Sequence, residues 1–174
     1  MKAIIFAFFF VFALTTFVPD GEPRDIKDVL EMIRGILESW EINKEEVEKL
    51  LICVQDLEDI QVQVEIILEE IKKLSLKDII KLAEAIARIV SAIQQLFKDM
   101  EPCIDAAGEL FKILGKFVHL SFWELVQKIL VNIFNNPRLI MENLEKMMDA
   151  YEKLEYRDTG YYLGEVIELL LLKD

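Results

Sequence analysis

The chain has 174 residues, 53% of them hydrophobic, and its 32 acidic against 20 basic residues give a formal net charge of −12. A surface that acidic is repelled by phosphate backbones and by anionic headgroups, so no nucleic-acid partner is expected. One histidine and two cysteines are too few for a structural zinc centre, which takes four nitrogen or sulfur donors.

Met1 and Lys2 precede an apolar run containing Phe6, Phe8, Phe9, Phe10 and Phe12, with Pro19 and Gly21 soon after. This pattern predicts a signal peptide over residues 1–18, cut between Ala13 and Gly21. The run is shorter than the ~20 residues of a spanning helix, and no comparable run follows. Stable membrane insertion is therefore not expected once the leader is cleaved. Residues 19–174 read as one helical domain, secreted or held in a secretory-vesicle lumen. None of its asparagines stands in a glycosylation sequon.

Apolar residues recur at helical spacing through the rest of the chain, which predicts an all-α fold, a single bundle of six to seven helices. Asp25 caps a first helix with Ile26, Val29, Leu30, Ile33, Leu37 and Trp40 inward and Gly35 as a weak point. Asn43 and Glu46 have capping spacing for a second helix over 44–74, with a kink near 60–63 where the period breaks. Ser75 with Asp78 marks a turn into a third helix, which runs to Met100. Pro102 ends that helix or opens the next, which starts at Cys103 and runs to Val118. Ser121 with Glu124 caps a fifth, and Asn136 before Pro137 opens a sixth. A loop over 156–159 leads to a last helix carrying Leu163, Val166, Ile167 and Leu170.

The bundle is built around a disulfide-linked hairpin. With its turn at Ser75, Cys53 and Cys103 are out of register by about six residues, some 9 Å of helix. A break at Pro102 closes that gap. An exported chain keeps such a bond, and a loop of this size makes it worth roughly 4 kcal/mol in the chain-entropy model. Gly108 with Gly115, and Gly160 with Gly164, each share a helix face. Such faces serve close packing within the monomer or a contact between copies.

Cys53-Val54 opening the hairpin, Cys103-Ile104 closing it, and residues 158–167, Asp-Thr-Gly-Tyr-Tyr-Leu-Gly-Glu-Val-Ile, resemble a group of small secreted helical proteins of ciliated protists. The resemblance implies a leader, helices and paired cysteines, and it carries no site residue with it.

Catalytic apparatus is not apparent. His119 is the only histidine, with Lys116 where a Glu-x-x-His metal motif would need a carboxylate, and no serine lies in a nucleophile elbow. The expectation is a non-enzyme without cofactor or metal. One stretch stands out, 110–134, which is too apolar for one buried stripe per helix. Leu110, Phe111, Leu114, Phe117, Phe122, Trp123 and Phe134 form a ligand or partner surface there, or else the stretch is the sheathed centre of the bundle. Lys112, Lys116 and Lys128 make it locally basic, which suits the acidic head of a fatty acid. Two functions follow: a structural or interaction protein that packs with a partner or with itself, and a carrier of a lipid or other apolar molecule between helices.

Overall fold

The computed structural model describes residues 25–106 and 108–173, so the leader expected over 1–18 lies outside the described residues. Among the described residues eight α-helices follow one another: α1 (Ile26–Ser39), α2 (Lys44–Val54), α3 (Glu58–Lys72), α4 (Ile79–Asp99), α5 (Gly108–Leu114), α6 (Phe122–Asn135), α7 (Pro137–Glu152) and α8 (Tyr156–Ile167). A 3₁₀ segment, Glu101–Ala106, joins α4 to α5, and a π turn, Glu168–Leu172, ends the chain. No strand occurs among the described residues.

α4 lies between α3 and α6, and α8 lies between α1 and α7. Burial of α4 on all but one edge explains its composition. Leu82, Ala83, Ile86, Ile89, Val90, Ile93 and Leu96 are inside, and Lys81, Arg88 and Gln95, seven apart, form the thin wet stripe. Trp40, at the end of α1, joins the two groups. Its ring lies 5.8 Å from that of Phe97 on α4 and 6.2 Å from that of Phe117, and its indole N–H donates to the Gly164 carbonyl at 3.1 Å.

Glycines set the close approach of α1 and α8. A Cβ added to Gly35 would stand 1.9 Å from the Arg157 carbonyl oxygen, and one on Gly160 would stand 2.1 Å from the Met32 carbonyl oxygen. One on Gly164 would meet Ser39 Oγ at 1.7 Å. Gly35 is therefore a packing residue rather than a weak point, and Gly160 with Gly164 serve the monomer's own core. Nothing lies within 4 Å of a Cβ on Gly108.

The expected helix over 44–74 is two helices, with a break at 55–57 instead of a kink at 60–63. α2 buries Val47, Leu50, Leu51 and Val54, and α3 buries Ile60, Val64, Ile67, Leu68 and Ile71. In one unbroken helix Ile60 would sit about 240° around from Val54, so the break brings both stripes to one core. The cap of α4 is Asp78, whose carboxylate accepts from the Ile80 and Lys81 amides at 3.1 and 3.2 Å, rather than Ser75. The expected helix over 103–118 is the 3₁₀ segment, short α5 and a turn over 115–119. The Gln94 amide donates to the Phe117 and Leu120 carbonyls at 2.7 and 3.2 Å, which satisfies that turn without a helix.

Residues 156–159 are the first turn of α8, not a loop. Thr159 is fully buried, and its hydroxyl donates to the Glu155 carbonyl at 2.9 Å. The caps at Asp25, Asn43 and Ser121 and the proline opening α7 stand where the sequence puts them.

α1 and α7 both stop on a left-handed residue, Glu41 at φ 56° and Leu154 at φ 60°. The Ile42 amide reaches back to the Leu37 carbonyl, and the Glu155 amide to the Ala150 carbonyl, the bonding of a Schellman cap, where glycine is the unstrained choice. Leu154 is 66% exposed, so its side chain gains little from burial. Leu154→Gly should therefore stabilise the protein by about 1 kcal/mol, read as a rise in the urea midpoint at unchanged m-value.

Candidate functional site

The stretch 110–134 divides instead of forming one surface. Leu110, Leu114 and Phe117 are core, and Phe117 is completely buried. The Phe111 side chain lies outside the described residues. On α6, Leu125, Val126, Ile129 and Ile133 face inward, Phe122 is half-buried, and Trp123, Val131 and Phe134 are 66%, 58% and 69% exposed. The excess of apolar residues is real, and it is resolved by an uncovered outer face on α6. Helix α4, not this stretch, is the centre of the bundle.

The capping box at the head of α6 is complete. Glu124 accepts from the Ser121 amide at 2.8 Å and from its hydroxyl at 2.7 Å, and Ser121 Oγ accepts from the Glu124 amide at 3.4 Å. The Ser121 hydroxyl, then its backbone N–H, hold the Glu124 carboxyl below the ordinary glutamate range. A depressed folded pKa adds stability above the unfolded value, about 4.3, and that stability is lost as pH falls through the folded pKa. Glu124→Gln should thus lower the melting temperature at neutral pH and leave it nearer wild type in acid, checked by scanning calorimetry across that window.

Of the three lysines, Lys112 is exposed and the other two serve the chain terminus. Lys128 Nζ donates to the Leu171 carbonyl at 3.0 Å and Lys116 Nζ to the Leu172 carbonyl at 3.4 Å, while the Asn132 amide donates to the Leu170 carbonyl at 2.7 Å. The last carbonyls of a helical run have no amide ahead of them, and cations suit that negative end. Half-buried Lys128 should matter more than exposed Lys116. Lys128→Met is expected to cost about 1–2 kcal/mol by leaving that carbonyl unpaired, and Lys116→Met well under 1 kcal/mol, by chemical denaturation.

A separate cleft of about 550 Å³ opens between α4 and the 115–119 turn. Phe97, Leu114 and Val118 make its apolar wall, and Lys98, Glu101 and His119 stand among its lining residues. Of the described side chains in the apolar set expected from the sequence, Leu114 alone lines it, and Trp123 and Phe134 do not. No group of three or more histidine, cysteine or acidic side chains able to hold a metal ion occurs among the described residues. No described helix is long and apolar enough to cross a membrane.

Cys53 and Cys103 are bonded, with Cα atoms 5.7 Å apart, so the disulfide expected from the register argument is present. The bond ties α2 to the 3₁₀ segment at the point where α4 ends.

No curated protein and no solved structure matches the chain. Residues 16–172 match the family model SctB-like, described as secreted protein B-like, a span that takes in every helix of the bundle. The match agrees with the small-secreted-protein part of the resemblance drawn from the sequence and carries nothing about ciliated protists. The chain therefore belongs to the SctB-like, secreted protein B-like family.

Proposed function

We propose that the protein is a secreted, non-enzymatic interaction protein whose working surface is the outer face of α6. The observation behind this reading is the exposure of Trp123, Val131 and Phe134 on one helix, two of them aromatic; the other exposed apolar residues, such as Val62 and Ile66 on α3, are aliphatic or, like Tyr161, stand singly. Single exposed apolar residues, such as Ile52 on α2 or Ile80 on α4, are ordinary; an aromatic stripe is the mark of a contact site. The family description supports export. A photo-crosslinking side chain at Gln127, between Trp123 and Val131, should trap protein in the medium into which the chain is secreted. The same probe at Lys81, on the wet edge of α4, should trap none. Equal labelling at the two positions would contradict the assignment.

The cleft beside α4 supports a second reading, a carrier for an apolar molecule with an acidic head. Its apolar wall suits a hydrocarbon chain, and Lys98 and His119 supply positive or donor groups, opposed by Glu101. The reporter for such a ligand is Trp40, whose ring lies tilted against that of the cleft residue Phe97. In a Trp123→Phe background, palmitic acid should change Trp40 emission saturably, and Lys98→Met should weaken the effect. A flat titration would remove the carrier reading.

A further inference from the structure

The outer face of α6 carries a run of uncharged, exposed side chains. At 100° per residue, Trp123, Gln127, Val131 and Phe134 fall within an arc of about 80°. Those four side chains carry no charge; the exposed Glu124 carboxylate flanks them, held in the cap with Ser121, and Lys128 is turned to the Leu171 carbonyl. Trp123 is also held before any encounter, its ring edge-on to Phe122 with centroids 5.2 Å apart. A rigid aromatic anchor loses little conformational freedom on docking.

We infer that this face docks a second copy of the same chain, α6 against α6 about a two-fold axis, which deepens the interaction reading and rests on it. Charge is the first argument. Two copies at −12 each repel over most of their surfaces, and the neutral α6 face is where they can meet without opposing like charges. A basic partner would be drawn elsewhere, to the acidic faces. Symmetry is the second. The stripe has an aromatic ring at each end, eleven residues and roughly 16 Å apart. An antiparallel pair places Trp123 of one copy over Phe134 of the other, twice, with Gln127 near the axis, as an isologous contact requires. Area is the third. The exposed parts of Trp123, Val131 and Phe134 amount to on the order of 400 Å² per copy, about half of the ~800 Å² that each partner buries in a stable interface. Polar neighbours such as Asn135 supply a rim around that apolar centre.

Sedimentation velocity of the secreted protein over a hundredfold concentration range tests this. The wild type should move from monomer to dimer. Trp123→Glu and Phe134→Glu, each placing two like charges inside the contact, should each weaken dimerisation at least tenfold. Their helical circular dichroism, and their melting temperature at concentrations where the wild type is monomeric, should stay at the wild-type level, because both side chains are exposed. Ile80→Glu, at another exposed apolar position, should leave the dimer intact. A dimer indifferent to both α6 variants, or a wild type monomeric throughout, would overturn the inference. If that monomer still crosslinks through position 127 to a different protein, the interaction reading survives and only the choice of a second copy falls. If it crosslinks to nothing, both fall.

Discussion

Gly160→Ala should destabilise the protein by at least about 3 kcal/mol, the upper end of what overpacking usually costs. Alanine gains about 1 kcal/mol over glycine from helix propensity, so a variant that merely weakened a helix at Gly160 would be improved by the change. The opposite is expected because the new methyl would lie 2.1 Å from the Met32 carbonyl oxygen, and the obstacle is backbone. Relief requires α1 and α8 to separate, which uncouples Ser39 and Trp40 from Gly164 and loosens the joint at Phe97 and Phe117. Gly35→Ala should behave alike, being blocked at 1.9 Å by the Arg157 carbonyl. Gly108→Ala, with open space around it, is the control and should be neutral or mildly stabilising. Urea denaturation of the three variants checks the sign as well as the size.

Removing the disulfide is the second large effect. Cys53 and Cys103 close a loop of 50 residues that contains all of α3 and α4, and the chain-entropy estimate for such a loop is roughly 4 kcal/mol. That is a large share of the 5–15 kcal/mol by which typical domains are stable. Cys53→Ser with Cys103→Ser should lower the melting temperature by roughly 8–16 °C at about 2–4 °C per kcal/mol. Cys53 is exposed and Cys103 buried, so part of the loss at position 103 is packing. Reduction of the wild-type protein removes the bond alone and separates the two contributions.

Periodicity carries most of the fold, and where the structure departs from it the physical reason differs from place to place. The irregular period at 60–63 signals an interruption in the expected helix over 44–74, but the break itself lies at 55–57, where no proline or glycine marks it. The start of α8 was not legible. Asp158, Thr159 and Gly160 have turn propensity, and only the approach of Met32 shows that Gly160 is there to admit another helix. The short α5 and the turn after it depend on the Gln94 amide, a contact made across 23 residues for which no local pattern stands.

The candidate surface was half legible. Composition shows that 110–134 holds more apolar residues than one buried stripe per helix can use, and it cannot say which ones remain outside. Phe117 and Phe134 look alike in sequence, yet one fills the core and the other is 69% exposed. Lys116 and Lys128 looked like head-group contacts because the carbonyls of Leu171 and Leu172, 43 and 56 residues onward, could not be placed beside them.

Native mass spectrometry of the protein recovered from the medium bears most directly on interaction against transport, since one spectrum gives copy number and bound ligand together. The account predicts a complex at twice the mass of the processed chain, free of small-molecule adduct, that dissociates when Trp123 is changed to glutamate. A monomer carrying one apolar ligand at full occupancy would contradict it, and would move the working site from the face of α6 to the cleft beside α4.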